Sequence, residues 1–381
     1  MTALAETYDR LWSPVLETVR ADALDCVQAN LAVLADRHGG AGAHLALGAA
    51  LRFDTEPGPD EVPRVAASVP YRLAAARELL GLRVARRWDA VDGTRLRALA
   101  AEHGALYVIA DAHGLTWTPY AGRRHTEHTF ILSTSDTVVD AYQDETPWGS
   151  CHPGVWRPSA AELDAMLPSA TALLLTAEPV APQPDALLVN ARAMAGADLD
   201  AYLEATRSDV DDLVLDIWLL ARSRLLHAAW LAHRGEPAAE VEAHARSWLT
   251  LASKSFVAAR RSRRTGVLPT TVLDELGRLL HEDVAIAARL AAAAVRRDPV
   301  RTAVLEAIRE VLRVDGPAVL AARTLRELPG YNSFRLVEII ERVEARLHLE
   351  LDDEALTADA LRDVDGLCAA FEGARAPEKA T

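Results

Sequence analysis

The sequence predicts an α+β chain in three parts: a mixed helix-and-strand region over 1–184, a helical region over 185–296, and a small four-helix unit over 297–381. Three observations carry this. Helical spacing near Val27 to Ala35 and Leu96 to Ala100 gives way to short apolar runs between Leu106 and Ala141. From Asp198 to Arg296 helical spacing dominates. In the last part a helical pattern, Val304, Ile308, Val311 and Leu312, is followed by a long loop and a second pattern that opens on Ser333.

Composition sets the bounds. A chain of 381 residues has a prior of two to three domains, and half of its residues are hydrophobic, enough for a sizeable core. The net charge of −14 argues against a general nucleic-acid binder. Lys occurs only at Lys254 and Lys379, so nearly all the basic charge is Arg. No apolar run approaches the roughly 18 residues of a membrane span, and the first residues lack the basic and apolar regions of a signal peptide. Three Cys residues make no disulfide framework, and free thiols fit a reducing cytoplasm.

Taken in order, Ser13-Pro14 is a helix-starting pair. A helix then follows Asp25, with Leu31, Leu34 and Ala35 on its apolar face and Gly39-Gly40 ending it. Cys26 falls at the front of that helix, where the dipole favours the thiolate that attacks acyl carbonyls. A small core residue is the other reading of Cys26, and the charge of Asp25 beside it opposes a thiolate. Pro57, Pro59 and Pro63 mark loops, with a strand or short helix after them. Thr94 to His103 repeats a helical face. Leu106 to Ala110 is a strand-type run, and Leu115 to Thr118 follows Gly114. Thr129 to Ser133 and Thr137 to Ala141 flank Thr134-Ser135-Asp136 and read as a hairpin. Its outer ends carry His128 and Asp140, close enough across the strands for the carboxylate to orient the imidazole and stabilise its charged form.

A helix-start Cys followed by a strand His and then a strand Asp is papain-like order. Residues 22–142 resemble the N-terminal domain family of butirosin biosynthesis protein H. The resemblance rests on Asp25-Cys26-Val27-Gln28, Leu31 to Gly39, Asp111, Trp117-Thr118-Pro119-Tyr120, His125, His128-Thr129-Phe130-Ile131 and Val138-Val139-Asp140. It implies a cysteine-peptidase-like (papain/C39-like) α+β domain that moves an acyl group from a carrier protein to an amine. By position it makes Cys26 the nucleophile, His128 the base and Asp140 the orienting acid. Papain-like enzymes place an oxyanion-hole Gln about six residues before the Cys. Here that residue is Arg20, which leaves the Cys26 N–H and Gln28 as candidates.

Two rival sites are present. Cys151-His152 lies in a loop-like segment with no helix dipole. His125, His128, Cys151 and His152 have zinc-ligand chemistry, but their spacing fits no compact zinc motif, so no metal is expected. Cys368, between Leu367 and Phe371, reads as core.

Pro179 to Pro184 reads as an extended connector. Beyond it, long helices are expected through Leu213 to Leu231, Val241 to Ala259 and Leu273 to Val295. Arg260-Arg261-Ser262-Arg263-Arg264 is either a solvated helix end that offsets the C-terminal dipole or a dock for an acidic carrier.

In the last part Phe334, Val337, Ile340, Val343 and Leu347 recur at helical spacing. They put Ser333 at or next to an N-cap, exposed at the positive end of the dipole, where a phosphodiester is favoured. An acidic loop, Asp352 to Glu354, and a short helix near Leu361 to Phe371 follow. This order resembles an acyl or peptidyl carrier protein, whose Ser bears a 4′-phosphopantetheine arm. The family pattern Gly-x-Asp-Ser-Leu stands here as Gly330-Tyr331-Asn332-Ser333-Phe334, with Asn332 in place of Asp. The two resemblances together imply a cytoplasmic, cysteine-dependent acyltransferase of natural-product assembly, including antibiotic biosynthesis. Its partners would be a phosphopantetheinyl transferase, an acyl-loading enzyme and an amine or hydroxyl acceptor, with no nucleic acid and no membrane. A hydrolase using the same residues, or a scaffold that presents the carrier, are the alternatives.

Overall fold

The computed structural model describes residues 4, 6–58, 61–134, 136–180, 186–206, 210–265 and 270–374. Ser135 of the hairpin turn and the connector from residue 181 onward lie outside these. The chain divides into two units, Met1–Pro184 with Asp198–Leu280, and Asp185–Ala197 with His281–Thr381.

The first unit is built on a six-stranded sheet in which all neighbours are antiparallel. Its order is Leu82–Val91, Ala170–Ala177, Leu106–Asp111, Glu127–Ser133, Thr137–Asp140 and Gly154–Trp156. Successive side chains point to opposite faces. On one face Leu106, Val108, Phe130, Leu132, Val138 and Trp156 pack with Leu96, Leu99 and Leu163 from the helices Gly93–His103 and Ala160–Met166. From the other face Tyr107 donates its hydroxyl hydrogen to the Val27 carbonyl, so the helix Cys26–Gly39 lies there. The central strands are therefore buried on both faces, which is why they read as near-continuous apolar runs.

The helix at Cys26, the helix Gly93–His103 and the hairpin stand where their patterns place them. A strand or short helix is expected after Pro63, and both a helix and a strand stand there. The segment at Cys151, expected as a loop, ends a short strand, Gly149–Cys151, paired with Asp144–Thr146. Within the six-stranded sheet three strands are not placed by the sequence. Leu82–Val91 is an edge strand, largely exposed and rich in Arg, so it has no alternation to detect. Ala170–Ala177 has the composition of a helix, and tertiary pairing overrides its propensity. Gly154–Trp156 is too short for a period. Leu115 to Thr118 forms turns. Gly81 makes the corner between the helix Val69–Leu80 and the first edge strand; at φ +67° a Cβ there would meet the Glu178 carbonyl.

The middle helices Val210–His233 and Ala239–Thr265 belong to the first unit and do not form a body of their own. The physical reason is burial: Arg222 and Arg224 are buried, and Arg222 bonds to carbonyls of the segment that leads into Cys26. The helix Ala186–Ala195 goes with the second unit, where Arg192 donates to the Leu320 carbonyl.

The second unit contains the helices Pro299–Leu312, Gly316–Ala321, Ser333–Leu347 and Val364–Gly373. Val304, Ile308, Leu336, Ile339, Val343, Leu367, Cys368 and Phe371 form its core. One expectation is corrected here. The buried stripe of the Ser333 helix is Leu336, Ile339 and Val343, whereas Phe334 is 89% and Val337 54% exposed. Phe334 lies roughly 200° around the helix from Leu336 at 3.6 residues per turn, so both cannot face one core. Among the described residues no helix is long and apolar enough to cross a membrane.

Candidate functional site

Cys26 is the first residue of its helix and is partly exposed. Asp25 is the N-cap: its carboxylate accepts the Gln28 N–H at 2.8 Å, and the Gln28 side-chain carbonyl accepts the Asp25 N–H at 3.4 Å. Gln28 is thus tied into the cap. The second Asp25 oxygen takes the Nε–H of buried Arg72 at 2.8 Å, so the charge expected to oppose a thiolate is already paired. Ala29 donates to the Asp25 carbonyl. Among the described residues, the Cys26 and Val27 N–H groups are left as the open donors of the helix start. Arg20, at the position of the papain-like Gln, is ion-paired with Asp22 at 2.9 Å.

His128 and Asp140 come from adjacent strands. The register pairs Ile131 with Val139, which sets Asp140 across from Phe130 and His128 one diagonal step along the same pleat face. The His128 Nε2–H donates to Asp140 Oδ2 at 2.7 Å, and both side chains are almost fully buried. Asp140 accepts further hydrogen bonds from Trp117 Nε1 (3.1 Å), Asn30 Nδ2 (3.2 Å) and the Tyr142 N–H (3.0 Å). Burial alone would raise the Asp140 carboxyl, but the His128 charge and these donors hold it below the usual carboxylate range. Burial alone would likewise push the His128 imidazolium down. The Asp140 charge and hydrogen bond, with the Cys26 side chain within hydrogen-bonding reach, reverse that and lift it to about 10. Since Nε2 is held by Asp140, Nδ1 is the ring nitrogen left for the Cys26 sulfur.

The structure therefore brings Cys26, His128 and Asp140 together. Asn30, one turn along from Cys26, links them: it is fully buried, donates to the Thr129 carbonyl and Asp140, and accepts from the Ala141 N–H. Thr129 donates its hydroxyl hydrogen to the Cys26 carbonyl at 2.6 Å. The sequence signal for Asn30 is a polar residue on an otherwise apolar helix face. Trp117 has no such signal beyond the stretch that contains it.

Cys151 ends the short strand Gly149–Cys151 and is buried. Burial pushes its thiol up to about 12, with the Asp140 and Asp144 charges adding to the effect, so it stays protonated at neutral pH. His152 beside it is exposed. His125 pairs with Asp111 at 2.5 Å on the surface and stacks on His113, whereas His128 is buried against Asp140. Among the described residues no cluster of three or more His, Cys, Asp and Glu side chains has a metal-holding arrangement. Arg260 to Arg264 stand in the last turns of the helix Ala239–Thr265.

In the second unit Asn332 is the N-cap and accepts the Arg335 N–H at 3.0 Å. Ser333 is the first helical residue and is exposed, next to exposed Phe334. Residues 302–371 match the family model for a phosphopantetheine attachment site. They form a carrier domain, and 4′-phosphopantetheine is the group it carries. A carrier domain places the chain in acyl-thioester biosynthesis and requires a phosphopantetheinyl transferase and acyl-loading partners. No curated protein matches the chain.

Proposed function

We propose that the chain is a cysteine-dependent acyltransferase of natural-product assembly, with a cysteine-peptidase-like domain that uses Cys26, His128 and Asp140. The observation behind this reading is the combination, in one chain, of a carrier domain and a helix-start Cys beside a buried His–Asp pair. Ser333 is the attachment residue. Its exposure at a helix start, with Gly330 at φ +77° and open space around that glycine, suits an approaching phosphodiester. When bound, the arm supplies a terminal thiol that holds acyl groups as thioesters.

In this reading His128 is charged at neutral pH and lies beside the Cys26 sulfur, which reacts as the thiolate. The thiolate attacks a thioester carbonyl, and the developing oxyanion meets the open N–H groups at the helix start. As the carbon–sulfur bond breaks, His128 gives its proton to the leaving sulfur, which departs as a thiol. The now neutral imidazole takes a proton from the attacking amine or hydroxyl as the acyl group leaves Cys26. This returns the proton to His128 and frees the Cys26 sulfur.

The test is to offer the acyl-loaded protein a panel of amines and alcohols, with water alone as control. Acceptor-dependent release through an acyl-Cys26 species is expected. Release that no acceptor accelerates would make it a hydrolase, and no release at all would make the Cys domain a scaffold.

The charge of Asp140 has its own signature. Asp140→Asn removes the main support of the imidazolium and keeps the burial that opposes it. The ionisation of His128 therefore falls from about 10, and the alkaline limb of transfer moves to lower pH by about one to three units. Transfer at pH 7 drops by about 10²-fold. Rate–pH profiles of the two proteins check this, and superimposable alkaline limbs would refute it.

A further inference from the structure

The Cys26 helix and the His128–Asp140 hairpin are far apart in sequence, and their separation decides whether sulfur and imidazole meet. On the sheet side they are joined by Asn30 and Thr129, while Tyr107 of the neighbouring strand ties the Cys26 helix to the sheet. On the side of the incoming and outgoing loops, one buried side chain from the helix Val210–His233 joins them. Arg222 Nη1 donates to the Ala21 carbonyl at 2.9 Å and to the Leu24 carbonyl at 2.6 Å. Leu24 is two residues before Cys26. Arg222 Nη2 donates to the Gln143 carbonyl at 2.7 Å and to Asp144 Oδ1 at 3.2 Å, just after Asp140 and Tyr142. The guanidinium lies 4.2 Å from the Trp218 ring centroid, and the indole N–H of Trp218 donates to the same Asp144 oxygen at 3.3 Å. Arg222 is only 8% exposed.

We infer that Arg222 is a positioning residue of the site, a rigid fork that sets the distance between the Cys26 sulfur and the His128 imidazole by clamping the segment entering Cys26 to the segment leaving Asp140. The chemistry favours this over a role in stability alone. A planar guanidinium satisfies two carbonyls with one nitrogen and a carbonyl and a carboxylate with the other, in a fixed geometry. A hydrophobic residue of equal volume would fill the space and hold neither strand of the clamp. A Lys ammonium is a single point of charge and cannot reach both segments at once. The mobility gained on its loss falls on the Cys26–His128 separation, because one segment ends two residues before Cys26 and the other begins three residues after Asp140, which holds the His128 ring.

The inference rests on the reading of Cys26 and His128 given above, and the experiment separates the two. In the full chain, Arg222→Met and Arg222→Lys are compared with wild type and with Leu163→Ala, a core cavity under the helix Ala160–Met166 that lowers stability and removes none of the clamp's hydrogen bonds. Two rates are read: iodoacetamide alkylation of Cys26 at pH 7, followed by mass spectrometry, and turnover of a small soluble thioester with a saturating amine. Both Arg222 variants should alkylate about tenfold more slowly and lose about tenfold in kcat with KM within twofold, since displacement by about an ångström costs that much or more. Leu163→Ala should keep both rates. If Arg222→Met does not fold, Arg222→Lys carries the test. Alkylation at the wild-type rate in the Arg222 variants, or equal slowing in Leu163→Ala, overturns the inference. If alkylation slows only in the Arg222 variants while wild type turns over no thioester, the clamp stands and the acyltransferase reading falls.

Discussion

Under the proposed mechanism, Cys26→Ala leaves the acyl group on the carrier and lowers transfer by roughly 10⁴-fold or more, because the group proposed to accept it is gone. The structure adds a sharper expectation. His128→Ala should cost nearly as much, since it removes both the counter-charge of the thiolate and the proton carrier, and it strands Asp140 as a buried, uncompensated carboxylate. Residues that act as one unit are not additive, so the Cys26→Ala/His128→Ala double variant should be no slower than Cys26→Ala alone. Cys151→Ala should turn over normally, because burial and neighbouring carboxylates keep that thiol protonated. Single-turnover release from loaded protein, read by intact mass, checks all four. Loss of transfer in Cys151→Ala with retention in Cys26→Ala would reassign the nucleophile.

With Ser333 as the proposed attachment residue, Ser333→Ala abolishes addition of the arm by a broad-specificity phosphopantetheinyl transferase and coenzyme A, and with it the proposed transfer from the carrier. The hydroxyl is exposed at the first helical position, and the variant keeps the cap that Asn332 provides, so the domain stays folded. Its circular dichroism should match wild type, which separates loss of the attachment atom from loss of structure. Asn332→Asp is the complementary change. It keeps an oxygen for the Arg335 N–H and adds a negative charge at the helix start, worth about 0.3–1 kcal/mol to the helix. It also restores the carboxylate of the family pattern, and loading should quicken. A wild-type protein that gains no mass with several transferases would remove Ser333 from the reading.

Several of these features are legible in the sequence because they depend on neighbours. The helix start at Cys26 is visible in Asp25, the apolar stripe and Gly39, and the hairpin in two short apolar runs around a polar turn. The diagonal placing of His128 and Asp140 follows once the register is known. What is not legible depends on residues brought in from afar. The pairing of Asp25 with Arg72 removes the objection that adjacent charge raises against Cys26, yet 47 residues separate the partners. Arg222 is one of two Arg residues in its helix and carries no local sign of a role. On the Ser333 helix the apolar spacing admits two stripes, and only packing decides that Leu336, Ile339 and Val343 go inside while Phe334 and Val337 remain in water.

That exposed pair has a consequence for traffic. Phe334 and Val337 follow Ser333 by one and four residues on its helix, so a protein that approaches the hydroxyl meets the same small apolar footprint. If the transferase that installs the arm and the enzyme that loads it both approach Ser333 there, they occupy that footprint one after the other. Their visits are mutually exclusive by volume alone, and a large excess of either one, even inactive, should stall the next step in the queue.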